Sequence, residues 1–326
     1  MIDFAIIIPC YNEELSIADV LNSLLNQIKK DFPQTIYKIY VYDNNSNDRT
    51  CETVKEYIYI NKCNNIELRH AYKQGKGYVI RQAFQEINAK CYCIIDGDNT
   101  YDVSNLKSMY ELIIRQKADM VIGDRLSTSY FTENKRAFHN FGNKLVKNVI
   151  NKLFHIHYKD ILSGLRTFSY GYVKTFPITS GGFTLETEMN IHAAQHEMLV
   201  IDVPVKYRDR KEGSYSKLNT VSDGIKVICK IISMIRLYKP MLFYGIIAFC
   251  LTLLGTGFSI PVFFEYFKTG EVLKFPTLIV CGFTIIAAIL NLFMGILESS
   301  NNLRHKQIFE QTYINTITLY KMKEDN

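Results

Sequence analysis

Asp96 and Asp98 flank Gly97 just after the apolar run 91–95, so two carboxylates stand i, i+2 at the end of a buried-strand pattern. That spacing turns both side chains to the same side, and the glycine between them lets a ligand approach the backbone. Carboxylate oxygens favour Mg²⁺ or Mn²⁺, and Mg²⁺ typically binds through one or two carboxylates plus substrate phosphates. The pair therefore suits a diphosphate, while a D-x-D by itself is also an ordinary turn. Softer metal chemistry has no comparable signal. His192 and His196 are four apart without an H-E-x-x-H frame, and the eight cysteines form no C-x-x-C framework, which reads as reduced, mostly buried thiols.

The elements that must carry the pair alternate. Residues 4–9 are a continuous apolar run, then Asn12, Glu13, Glu14 and Ser16 precede Ile17, Val20, Leu21, Leu24, Leu25 and Ile28 at helical spacing. The unit repeats as strand 36–42 with helix 50–59, strand 66–70 with helix 78–89, and strand 91–95. Such alternation predicts an α/β domain with a mainly parallel central sheet and right-handed crossovers. Ligands of such sheets bind beyond the carboxyl ends of the strands, where the polar clusters 11–13, 43–48, 73–76 and 96–102 all fall.

Four strings in register carry a resemblance: Ile7-Ile8-Pro9-Cys10-Tyr11-Asn12-Glu13-Glu14, Val41 to Thr50 (VYDNNSNDRT), Lys73-Gln74-Gly75-Lys76-Gly77, and Ile95-Asp96-Gly97-Asp98. They look like the successive motifs of family 2 glycosyltransferases with the GT-A fold. Gly123-Asp124-Arg125, Asp160 to Arg166 (DILSGLR) and Arg208 to Leu218 (RDRKEGSYSKL) are similar to its polyprenyl-phosphate branch, which includes dolichyl-phosphate mannose synthases and bactoprenol glucosyltransferases. The resemblance implies that Pro9, Tyr11 and Glu13 shape a nucleoside pocket, that Asp43 contacts base or ribose, and that Lys76 lies near the nucleotide. It implies that Asp96 and Asp98 hold a UDP- or GDP-linked sugar and its Mg²⁺ or Mn²⁺, with Arg125 on the donor phosphate. Where the mannose synthases follow the acidic pair with Leu-Gln-His-Pro, this chain has Asn99-Thr100-Tyr101-Asp102, which leaves a third metal ligand open. Processive relatives carry Q-x-x-R-W, and a chain with no Trp is not expected to be a polysaccharide synthase.

A lipid-phosphate nucleophile is already anionic near neutral pH, so it needs positive charge and position rather than a base. Arg208, Arg210 and Lys217 supply that charge, with Arg166 expected to reach the same place, because guanidinium groups bind phosphate bidentately. A solvated basic loop near anionic headgroups fits the same residues. Glu186 and Glu188 sit where hydroxyl-using relatives keep a base. Glu188 is expected beside the acceptor site, and either glutamate also suits the first turn of a helix. Two alternatives stay open: a lipid or glycan hydroxyl as acceptor, and a non-catalytic nucleotide-binding scaffold.

Residues 240–264 and 275–297 are apolar stretches without charge, roughly 23 to 25 residues long, enough for a helix to cross a hydrocarbon core of about 30 Å. Buried core helices would normally show a polar stripe, which these lack. Lys226, Lys230, Arg236 and Lys239 before the first stretch, and Arg304 and Lys306 after the second, predict that the head and both termini are cytoplasmic. Residues 1–9 read as a strand rather than a signal peptide. The expected organisation is a head at 1–220, an interfacial amphipathic helix at 221–239, two spans within 240–298 and a tail at 299–326; residues 138–154 form a second amphipathic candidate. The net charge of +6, with basic residues clustered at 135–159 and 208–239, favours an anionic lipid bilayer over nucleic acid as partner.

Overall fold

The computed structural model describes residues 1–127, 147–154, 156–178, 185–208, 232–233 and 235–325. The chain divides into two units, Met1–Gly224 with Glu310–Asn326, and Ile225–Phe309.

Among the described residues the first unit is built on seven strands: β1 (Ile2–Cys10), β2 (Tyr37–Asp43), β3 (Ile66–His70), β4 (Ala89–Ile94), β5 (Met120–Asp124), β6 (Arg166–Ser169) and β7 (Val200–Pro204). Their order is β3-β2-β1-β4-β6-β5-β7. β1 pairs parallel with β2 and β4, β2 with β3, and β5 with β7, which gives the expected mainly parallel α/β sheet. The antiparallel exception is β6, wedged between β4 and β5. At four residues it is too short for a periodic signal, so the sequence does not announce it.

Apolar periodicity decides how the helices lie. Helix α1 (Ile17–Asp31) buries Ile17, Val20, Leu21, Leu24 and Ile28, five of the six residues its spacing singles out, each gaining about 1.5 to 3 kcal/mol on full burial, while Leu25 stays half-buried. The central strands bury both faces, and Phe4, Phe32 and Tyr110 meet at ring separations of 4.9 to 5.5 Å. Helix α2 spans Thr50–Asn61. Helix α3 (Lys76–Glu86) starts two residues before the expected position, because Gly75 at φ 133° ends the preceding turn. Helix α4 (Leu106–Ile114) precedes β5; α5 (Tyr170–Thr175) and α6 (Leu185–Gln195) follow β6.

Among the described residues two long helices follow, α7 (Pro240–Thr269) and α8 (Phe275–Asp325). Both are long and apolar enough to cross a membrane, and only 22% and 17% of their most apolar windows are buried, unlike core helices. The segment expected as a tail from residue 299 is a continuation of α8, and Glu310 onward counts with the first unit. There Tyr313 donates its hydroxyl to Asp119 at 3.0 Å, and Tyr170 and Tyr320 pack with ring centroids 4.7 Å apart. Of the two amphipathic candidates, residues 147–154 are helical, whereas 138–146 and most of 221–239 lie outside the described residues.

Candidate active site

The loops after β1, β2 and β4 each turn on an asparagine in the left-handed region: Asn12 (φ 54°), Asn45 (φ 59°) and Asn99 (φ 57°). Asparagine tolerates this conformation better than most residues, so a strand can end abruptly and expose polar groups on one rim. Hydrogen bonds knit those loops together. Asn44 N–H donates to the Cys10 carbonyl (2.7 Å), Glu13 N–H to Thr50 Oγ1 (2.8 Å), and Gly75 N–H to Asn44 Oδ1 (2.7 Å). Ser16 donates to the Gly97 carbonyl at 2.8 Å rather than capping α1, and so fixes the acidic loop against the first one. Pro9, Tyr11, Glu13, Asp43, Lys76, Asp96 and Asp98 consequently share the carboxyl end of the sheet.

Within this rim Lys76 is the hub. Its Nζ donates to Asp96 Oδ1 and to Glu186 Oε1, both at 2.7 Å. Burial works against the ammonium, but Asp96 and Glu186 outweigh it and hold its pKa above the ordinary lysine value. Asp98 is buried and accepts from the Thr100 hydroxyl (2.7 Å) and N–H (3.2 Å) through one oxygen. Asp96, Asp98 and Glu186 bring carboxylate oxygens to this rim. Its all-oxygen donor set fits Mg²⁺ or Mn²⁺ at Asp96 and Asp98. A Cβ on Gly164 would lie 2.0 Å from Asp96 Oδ2, so the carboxylate occupies a cradle that only glycine leaves open. Gly97 has a packing reason as well: a Cβ there would stand 2.9 Å from Cys10 Sγ.

The loop after the acidic pair continues into a short antiparallel contact. Tyr101 bridges Tyr207, Asp102 N–H donates to the Lys206 carbonyl (3.0 Å), and Arg208 N–H donates to the Thr100 carbonyl (2.8 Å). The Arg208 guanidinium reaches Asp102 at 2.7 Å. Asp102 thus meets a cationic side chain on a neighbouring segment.

Arg166 requires a correction. It is 1% exposed, and its guanidinium donates to the Ser163 and Ile161 carbonyls and to Asn190 Oδ1 at 2.7 to 3.1 Å. Those bonds hold the 161–163 turn from inside the core, so the guanidinium is not a solvent-facing group as expected; its place on a core strand, invisible locally, is the reason. Arg125 is clasped by Asp160 through Nε (2.7 Å) and Nη2 (3.2 Å) and lies over the Tyr207 ring at 5.4 Å. Glu188, expected beside the acceptor, is buried in the first turn of α6, and it is Glu186 that the structure ties to Lys76. Arg210 and Lys217 lie outside the described residues.

Sequence spacing gave no hint of one more cluster. Asp43, Cys51 and His70 bring a carboxylate, a thiol and an imidazole within 4.8 Å of one another. Burial and Asp43 push the thiol of Cys51 up to about 11 in the metal-free protein. Only the pairing of β2 with β3 could have revealed it.

Comparison with known proteins places this geometry. The chain is 28% identical over 269 residues to glycosyltransferase AglJ of Haloferax volcanii, covering 80% of this chain and 81% of that one. It is 24% identical over 220 residues to a dolichyl-phosphate beta-glucosyltransferase of Dictyostelium discoideum, covering 64% and 62%. The fold matches glucosyl-3-phosphoglycerate synthase of Mycobacterium tuberculosis, solved with Mn²⁺ and UDP-glucose, at a TM-score of 0.53 and 14% identity over 72% of this chain and 78% of that one. The sequence profile of glycosyl transferase family 2 matches residues 5–176, more than half of the chain. With the acidic pair, the Lys76 hub and the parallel sheet all within or beside that span, the chain belongs to glycosyl transferase family 2.

Proposed function

We propose that this glycosyltransferase moves a sugar, with inversion, from a nucleotide diphosphate to a polyprenyl phosphate at the cytoplasmic face of a membrane, giving a polyprenyl-phosphate monosaccharide. The observation that carries this reading is the antiparallel contact between residues 100–102 and 206–208, which fastens Arg208 to the loop of the acidic pair. A cation held there suits an acceptor that is already anionic and needs orientation rather than deprotonation. The dolichyl-phosphate relative supports the acceptor class, and the Mn²⁺ and UDP-glucose of the structural neighbour support the donor class.

In this scheme Asp43, Tyr11 and Glu13 line the nucleoside end, Lys76 and Arg125 serve the diphosphate, and Arg208, Arg210 and Lys217 hold the acceptor phosphate. Asp96 and Asp98 would hold Mg²⁺ or Mn²⁺, which when bound offsets the charge that develops on the departing diphosphate. The stretches 240–264 of α7 and 275–297 of α8 are the two membrane spans, oriented by their basic flanks with both termini cytoplasmic, and they anchor the chain to the membrane that holds a polyprenyl phosphate.

A direct assay decides. Purified full-length protein is given Mg²⁺ or Mn²⁺, a panel of labelled UDP- and GDP-sugars, and either a polyprenyl phosphate or the corresponding polyprenol. Label is expected in the lipid phase with the phosphate alone, and Asp98→Ala is expected to abolish it. Transfer to the polyprenol would establish a hydroxyl acceptor instead, and absence of transfer to either lipid would refute the proposal.

A further inference from the structure

The cluster of Asp43, Cys51 and His70 has a clear origin in the fold. Parallel β2 and β3 pair Asp43 with His70, so their side chains lie on one face, with His70 Nδ1 3.5 Å from Asp43 Oδ2. Helix α2 begins at Thr50, and its first turn delivers the Cys51 thiol to the same carboxylate. Asp43 is buried, Cys51 half-buried and His70 exposed, so the cluster has a closed floor and an open side. The floor is braced, because Ser46 N–H donates to Asp43 Oδ1 at 3.2 Å and to Oδ2 at 3.4 Å. Such support behind a ligating carboxylate is what orients it toward an ion.

We propose that Asp43, Cys51 and His70 form a binding site for a borderline-soft divalent ion of the Zn²⁺ class, distinct from the Asp96 and Asp98 pair. Carboxylate, thiolate and imidazole are the three protein donor types that Zn²⁺ takes; the ion displaces the Cys51 thiol proton to solvent as it binds, and three ligands with one open side leave the fourth position to water or an incoming group. Mg²⁺ and Mn²⁺ prefer an all-oxygen set, which the acidic pair supplies, whereas this cluster offers one carboxylate beside sulfur and nitrogen. The two clusters therefore sort metals by donor chemistry. An ion held by Asp43 removes that carboxylate from a nucleoside, so Zn²⁺ acts as a competitive inhibitor of the donor. This consequence rests on the donor role of Asp43 proposed above, whereas the site itself does not.

Cobalt makes the site visible. Full-length protein, freed of metal and kept reduced with a non-chelating phosphine, is titrated with Co²⁺, whose thiolate charge-transfer and tetrahedral d–d absorption report a sulfur ligand. The expected result is a saturable band that Zn²⁺ removes and excess Mg²⁺ does not. Cys51→Ser should lose the charge-transfer band, and His70→Ala should bind at least tenfold more weakly. Cys63→Ser, which alters another partly exposed thiol, should behave as the parent. A parent protein without the band, or a band that survives in Cys51→Ser, overturns the site and leaves the donor reading intact. In a parallel UDP and GDP binding assay, undiminished nucleotide binding at saturating Zn²⁺ overturns the inhibition while the site stands.

Discussion

Lys76 and Glu186, 110 positions apart in the chain, meet at 2.7 Å, and the same ammonium reaches Asp96 at 2.7 Å. One lysine thus joins the start of α3, the loop after β4 and the first turn of α6. The ammonium is shared between two carboxylates at equal distance.

Replacing Lys76 with methionine leaves Asp96 and Glu186 facing each other without their shared cation. Charge-assisted hydrogen bonds of this kind contribute about 1.5 to 3 kcal/mol each, so donor affinity should fall by about ten- to a hundredfold. Calorimetric titration of nucleotide against Lys76→Met and Lys76→Arg checks this, with the arginine variant expected to lie between.

Gly164→Ala puts a methyl group where the Asp96 carboxylate lies, 2.0 Å from Oδ2. The carboxylate must move. Binding of Mn²⁺ in the presence of nucleotide, followed by electron paramagnetic resonance, should weaken by about tenfold or more, in line with the loss of one well-placed charged contact. Unchanged Mn²⁺ binding would show that Asp96 is not a ligand.

Asp102→Asn removes the charge that Arg208 meets at 2.7 Å. The Arg208 side chain is 57% exposed, and pairs so exposed contribute only about 0.2 to 1 kcal/mol. A rise of about two- to fivefold in KM for the lipid phosphate is expected, with donor KM unchanged, and added salt should shrink the difference between variant and parent.

Burial raises the Asp202 carboxyl to about 6, partly opposed by the Lys159 N–H and helped by Asp124. A carboxyl whose folded pKa lies above its unfolded value stabilises the fold while protonated, and that contribution is lost as pH rises from about 4 to about 6. Asp202→Asn should therefore raise the thermal midpoint above pH 6, by a stability gain of about 1 kcal/mol after solvent screening, and leave it unchanged near pH 4. Thermal melts across that window decide.

Gly171 lies under the last turns of α8, where a Cβ would stand 2.8 Å from Ile317 Cδ1 and from Tyr313 Cε2. Gly171→Val should destabilise the head by about 1 to 3 kcal/mol through overpacking. In a chain ending at Phe309 the same substitution should cost measurably less, a coupling that a double-mutant cycle in urea would read.

Much of this architecture was legible from local pattern. The run 4–9, the helical spacing from Ile17 to Ile28 and the polar clusters after each strand reappear as β1, α1 and the rim. Periodicity reports which face of an element meets the core, because burial selects the residues along it. It could not report β6, whose four residues are too few, nor the burial of Arg166, because an arginine in a strand looks the same from its neighbours whether its partners are solvent or carbonyls.

The sequence by itself determined which chemical groups stand at the strand ends and that two C-terminal helices are long and apolar enough to span a bilayer, since both depend on residues close together in the chain. Tertiary structure alone decided which of those groups meet. Glu186 rather than Glu188 holds Lys76, Asp102 holds Arg208, and Asp43 gathers Cys51 and His70, because strand order and register set non-local distances that no local pattern encodes.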